Sequence, residues 1–157
     1  NGRGVRLHPV ADGPVTPSGG DAAGQAEESR RFSLEFTARP EHIDELGHVN
    51  NAVWVTWIQD IATAHWNAVA APEHRDCYIW VVTRHEIDYR GNIGEGDSVT
   101  GETFIPQGPR GAQFDRCVEF RNSAGKRIVA ARSTWAMLDK SSGRLVRVPA
   151  EVAAPFL

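Results

Sequence analysis

The nineteen residues from His42 to Asp60, H-I-D-E-L-G-H-V-N-N-A-V-W-V-T-W-I-Q-D, run a polar, glycine-containing loop straight into a helical pattern. Asn50 and Asn51 are favourable N-cap residues, so the first free N–H groups of the helix are expected to point back at the loop that carries Asp44 and His48. A carboxylate, an imidazole and a helix N-terminus then become neighbours. Such a set suits a reaction in which negative charge develops on a carbonyl oxygen, because aligned amides stabilise the anion while a side chain attacks or deprotonates water.

Downstream of the loop, Thr56, Gln59, Asp60, Thr63 and Asn67 recur at steps of three or four and make one narrow polar stripe. Val53, Trp54, Trp57, Ile58, Ile61 and Trp66 fill the rest of the circumference, so this helix needs other structure wrapped around it. Its run is predicted to end near Pro72.

The remaining pattern is that of strands. Phe32, Leu34 and Phe36 alternate with polar residues over Phe32 to Ala38, and Pro40 ends that strand. Tyr78 to Val82 is continuously apolar. From there Arg84, Glu86, Asp88 and Arg90 alternate with His85, Ile87 and Tyr89, which predicts one long strand passing from two-sided to one-sided burial. N-I-G-E-G-D reads as a turn, followed by strands over Asp97 to Ile105, over Gln113 to Arg121 with Phe114, Val118 and Phe120 on one face, and over Lys126 to Leu138 with Val129, Ala131, Trp135 and Met137 at alternate positions. K-S-S-G then turns the chain into Arg144 to Val148. Four long meandering strands plus the first, around one hydrophobic helix, predict an α+β architecture with an antiparallel sheet.

Composition narrows the class further. A chain of 157 residues, 41% hydrophobic, 24% charged and with net charge −3, reads as a globular protein with one core and without the bulk basic character of a nucleic-acid binder. Residues 1–31 are rich in Gly, Pro, Ala and Ser and read as a flexible N-terminal extension, with the folded domain over 32–157. No stretch of eighteen apolar residues occurs, and a cytoplasmic, unanchored protein is expected. Cys77 and Cys117 have no metal-ligand spacing, and a reducing compartment is the default. The sequence lacks G-x-S-x-G, G-x-G-x-x-G and G-x-x-x-x-G-K-[ST], which removes the serine-hydrolase elbow and the usual nucleotide loops.

The stretch D-x-x-G-H-V-N-N, here Asp44, Gly47, His48, Val49, Asn50 and Asn51, followed by a long helix, resembles the hotdog-fold acyl-thioesterases of the 4-hydroxybenzoyl-CoA thioesterase type. The H-V-N-N portion also looks like the loop of plant-type acyl-carrier-protein thioesterases, with Leu46 where those enzymes carry an Asn between Asp and His. Trp54 stands where many relatives have Tyr, and Gln59 where many have a helix Glu. The likeness runs from about Phe32 to the end of the chain, through Y-R-x-x-I-x-x-G-D (Tyr89 to Asp97) and D-x-x-x-G-R-x-x-R-V-P (Asp139 to Pro149). It implies a hotdog fold, hydrolysis of an acyl thioester, with acyl-CoA expected ahead of an acyl-carrier-protein substrate, and Asp44 as nucleophile or general base. It also implies homodimers or homotetramers with the site at the dimer boundary. No cofactor, metal, nucleic acid or membrane is implied.

Each candidate also has a plainer reading. Asp44 before a glycine can simply cap a turn, and His48, the second catalytic candidate, can be a structural histidine. Gly47, Asn50, Asn51 and the amide of Val53 are expected to frame the thioester, with Asn51 first of all a helix cap. Trp54, Trp57 and Trp66 read as core, one or two of them also walling an acyl tunnel. Gln59 is a further candidate for substrate contact, and Arg84 and Arg90 are candidates for the phosphates of coenzyme A, although strand arginines are commonly just solvated. Two other classes stay open: hydration or dehydration of an acyl thioester, and a non-catalytic acyl-thioester-binding module.

Overall fold

The computed structural model describes residues 30–157, so nearly all of the expected N-terminal extension lies outside the described residues. Five strands form one sheet: β1 (Phe32–Thr37), β2 (Tyr78–Tyr89), β3 (Ser98–Phe104), β4 (Gln113–Arg121) and β5 (Arg127–Asp139). Their spatial order is β1-β3-β4-β5-β2, with every neighbouring pair antiparallel. Helix α1 (Asn51–Val69) packs against this sheet, followed by the short helices α2 (Pro72–Cys77) and α3 (Ala150–Ala153). Strand boundaries fall within one residue of the periodicity reading. By contrast, α2 and α3 were not expected, and Arg144 to Val148 is no strand: only Leu145 bridges, to Leu138.

The polar stripe on α1 is borne out. Thr56, Gln59, Asp60, Thr63 and Asn67 are exposed, whereas Trp54, Trp57, Ile58 and Ile61 are buried. These four meet Phe36 of β1, Val99 of β3, Val118 and Phe120 of β4 and Val129 of β5 in one cluster. Helix and sheet approach closely at Gly101, where an added Cβ would lie 3.0 Å from Phe120 and Phe36 and 3.2 Å from Ile61. A second cluster closes the far end with Ala70, Phe114, Met137, Val148, Val152 and Phe156.

Two departures from the meander matter for the site. First, N-I-G-E-G-D is not a hairpin turn: it carries the chain from β2 at one edge, past β5 and β4, to β3 beside the other edge strand β1. On the way Ile93 is buried beneath the key loop, accepting a hydrogen bond from the Val49 N–H (3.1 Å), while Asn92 Nδ2 donates to the Val49 carbonyl (3.1 Å). Burial of Ile93 against the core favours this crossover over a local turn, which would leave that side chain wet.

Second, the register of β2 on β5 shifts between Val82 and Arg84. An extra residue in one strand reverses which face the following side chains occupy. Tyr78 and Trp80 therefore share the inner face with Ile87 despite their mismatched parity. The expected two-sided burial of Tyr78 to Val82 does not occur within the single chain: Ile79 is 48% and Val81 39% exposed.

Candidate active site

The loop before α1 is a tight hairpin closed by an Ile43 to Val49 bridge. Its ends are held together by Asp44 N–H to the His48 carbonyl (2.8 Å) and Asn50 N–H to the His42 carbonyl (2.9 Å). The tip needs Gly47, whose φ of +76° lies in the left-handed region that side chains avoid. Asp44 Oδ1 accepts from the backbone N–H groups of Leu46 (2.9 Å) and His48 (3.3 Å). The carboxylate thus performs the turn-capping role of the plainer reading, and its Oδ2 accepts from no described residue. His48 and Leu46 are exposed, Leu46 at 79%.

Asn50 caps α1, its side-chain oxygen accepting from Ala52 N–H at 2.9 Å. Asn51 is the first helical residue rather than the cap. Val53 N–H donates to the Asn50 carbonyl at 2.9 Å and Trp54 N–H to the same oxygen at 3.4 Å. The amide of Val53 is therefore committed within the helix start, which corrects the expectation that it faces the thioester. Asn51 N–H, with no partner among the described residues, is the free donor of the first turn. The Asn51 carbonyl accepts from Tyr89 Oη at 3.4 Å, which brings the end of edge strand β2 beside the start of α1.

The other candidates lie apart. Trp54 is fully buried between Trp57 and Phe120 and offers no surface in the single chain. Gln59 is exposed two turns along α1. Arg84 on β2 and Arg90 just beyond its end pair with Glu86 and Asp88 respectively. His42, besides the backbone bond above, accepts from Arg39 N–H through Nδ1 at 3.0 Å and sits edge-on to Trp57. Both cysteines are free thiols.

A concavity lies elsewhere, between the C-terminal half of α1 and the sheet, with a volume of about 370 Å³. Trp66, Trp80, Phe114, Trp135 and Phe156 give it aromatic walls. Among its lining residues is Arg116, which the sequence reading passed over although it shares the two-residue period of Phe114, Val118 and Phe120. Arg116 is 8% exposed, and its Nη1 donates to His65 Nδ1 (2.7 Å) and to Thr103 Oγ1 (3.0 Å). His65 lies stacked on Phe32 and edge-on to Phe156. Burial, reinforced by the Arg116 charge, lowers its pKa to about 4, so the imidazole is neutral and free to accept. Burial also lowers Arg116 to about 10, which leaves it charged at neutral pH.

A single long hydrophobic helix packed on a five-stranded antiparallel sheet, with a polar loop delivered to the helix start, is the hotdog fold of acyl-thioesterases. The model of the acyl-ACP thioesterase N-terminal domain matches residues 29–156, and the chain belongs to that family. The match falls on the acyl-carrier-protein branch, the second of the two likenesses carried by H-V-N-N, and not specifically on the 4-hydroxybenzoyl-CoA type. The chloroplastic palmitoyl-acyl carrier protein thioesterase of Arabidopsis thaliana is 36% identical over 75 residues, which is 47% of this chain and 18% of that protein. An acyl-ACP thioesterase from Bacteroides thetaiotaomicron superposes with a TM-score of 0.72 at 22% identity, covering 83% of this chain and 54% of that one. The Staphylococcus aureus protein SAV2348, solved in complex with CoA, gives 0.72 at 14% identity, covering 80% of each chain. This chain thus spans about half the length of the Bacteroides enzyme and less of the plant one.

Proposed function

We propose that this chain is a hotdog unit of an enzyme that hydrolyses an acyl thioester, carried on acyl carrier protein in preference to coenzyme A, to the free acid and thiol. The observation that carries this reading is the family match over residues 29–156; Asp44 and the start of α1 are the chemistry that this reading assigns to the loop. In the proposed mechanism the free Asp44 Oδ2 either attacks the thioester carbon, so that the C–S bond breaks, thiolate leaves and water then cleaves the resulting anhydride, or takes a proton from a water that attacks that carbon and expels the thiolate. The Asn51 N–H, at the positive end of α1, stabilises the developing oxyanion, and His48 assists proton transfer.

Neither described cavity is lined by Asp44 or His48. A second hotdog unit, set against the β2 edge beside Tyr89 and Asn51, supplies the missing wall in this reading. The same geometry favours one alternative, a unit that binds the acyl thioester while the chemistry lies on another unit. Thiol release from matched acyl-carrier-protein and acyl-CoA panels, measured on wild type and Asp44→Asn, separates them. Faster release from the carrier-protein panel, abolished in the variant, is the expected result. Equal rates in wild type and variant remove Asp44 from the mechanism, and binding without release supports the alternative.

A further inference from the structure

The cavity beside Arg116 has a chemistry that the thioesterase reading does not use. Its wall carries three cationic residues, Arg75, Arg116 and Lys140, and no acidic one. At the mouth, Lys140 Nζ donates to the Arg75 carbonyl (2.7 Å) and Arg75 Nη1 to the Asn67 carbonyl (3.0 Å), so both cations are held by neutral oxygens. At depth the imbalance is sharper. Arg116 is more than nine-tenths buried, its Nη1 is spent on a neutral imidazole and a hydroxyl, and its Nε and Nη2 donate to no described residue.

The carboxylate nearest to Arg116 along the chain is engaged elsewhere. Asp115, next in sequence, points to the opposite face, where Arg110, Arg132 and Thr134 hold it. A guanidinium desolvated among tryptophans without a counter-charge is costly, and a planar anion that accepts from its remaining fork offsets that cost. The Trp135 indole N–H, also on the wall, is buried without an acceptor. The space would hold on the order of a dozen non-hydrogen atoms, at roughly 30 Å³ for each water-sized group. An uncharged hydrocarbon would fill the aromatic part but leave Arg116 uncompensated.

We infer that this cavity is a binding site for a free aromatic or short-chain carboxylate, whose carboxylate pairs with Arg116 while its apolar body lies among Trp66, Trp80 and Phe114. The site is separate from the loop chemistry. Its nearest helical wall, Ala62, is eleven residues along α1 from Asn51, about 16 Å at 1.5 Å per residue.

Three tryptophans in the wall provide the readout. Titration of the full chain with 4-phenylbutyrate should change tryptophan fluorescence saturably and raise Tm, and the neutral 4-phenylbutyramide should bind at least tenfold more weakly. Arg116→Met should abolish the preference for the acid, whereas Asp44→Asn should keep it, whether or not either protein releases thiol. Should Arg116→Met not fold, the acid and amide pair on wild type decides alone. Equal binding of acid and amide, or no saturable binding of the acid, overturns the inference.

Discussion

The backbone N–H of Val49 donates to the carbonyl of Ile93 across 3.1 Å, and through that bond the crossover between β2 and β3 supports the loop that carries Asp44. Asn92 completes the support: its Nδ2 donates to the Val49 carbonyl and its Oδ1 accepts from the Ile93 N–H (2.8 Å). Removing that side chain leaves partly buried backbone groups without partners, at about 1–3 kcal/mol. Asn92→Ala is therefore expected to lower stability by that amount in urea unfolding. It should also reduce thiol release in conditions where the variant remains fully folded. Unchanged stability would mean that water replaces the amide without loss.

At Asp44 the structural role and the proposed chemical one can be separated. Oδ1 holds the turn and Oδ2 is free, so an amide with its oxygen in the Oδ1 place keeps the turn and loses the charge. Asp44→Asn should leave the unfolding free energy from urea titration within about 0.5 kcal/mol of wild type while thiol release falls by orders of magnitude. Asp44→Ala, which also loses the turn acceptor, should cost about 1 kcal/mol more. Equal activity losses with equal stability losses would make Asp44 a capping residue only.

Two acid transitions are expected in stability. His65 is pushed down from 6.5 to about 4, first by burial and then by the Arg116 charge. The unfolded chain then binds the proton more readily, so this contribution is complete above about pH 6.5 and lost as pH falls to about 4. His85, lowered by burial beside Ser133 Oγ, acts in the same direction. At Asp115 burial raises the pKa, but hydrogen bonds from Arg110, Arg132 and Thr134 together with the Arg110 charge outweigh it and bring the carboxyl to about 2. That contribution is complete above the ordinary carboxylate range near pH 4 and lost towards pH 2. Tm measured from pH 8 to 2 should fall in both windows, and His65→Gln should flatten the upper one without touching the lower. A wild-type Tm constant between pH 6.5 and 4 would contradict the burial of a neutral imidazole.

The β2 edge is the proposed meeting place for a second unit. Ile79 and Val81 expose apolar surface on a twelve-residue edge strand, and charge on such a strand opposes pairing. Val81→Lys should shift any oligomer towards monomer in sedimentation velocity, with Tm of the monomer unchanged. An oligomer that persists undiminished would place the interface on another surface.

How much of this was legible varied with the range of the interaction. In α1 the alternation of polar stripe and tryptophans fixed both the helix and its buried face, because side chains three and four apart share a side whatever surrounds them. In β4 the same reasoning put Arg116 in line with Phe114, Val118 and Phe120, yet it could not say that His65 and Thr103 would be its neighbours. In β2 the parity reversal at Thr83 was invisible without the partner strand β5, since a bulge exists only relative to a register.

By itself the sequence determined the local matters: an asparagine cap at Asn50 or Asn51, a glycine-enabled turn at Gly47, one helix too hydrophobic to stand alone, and strands that alternate. Those follow from neighbours along the chain. The tertiary structure alone decided that β2 lies beside β5 and that Ile93 passes under Val49. It also decided that Asp44 spends one oxygen on its own loop and that the buried Arg116 guanidinium faces a cavity of indoles. These are contacts between residues far apart in sequence, selected by the joint burial of the helix and both sheet edges, and no local pattern encodes them.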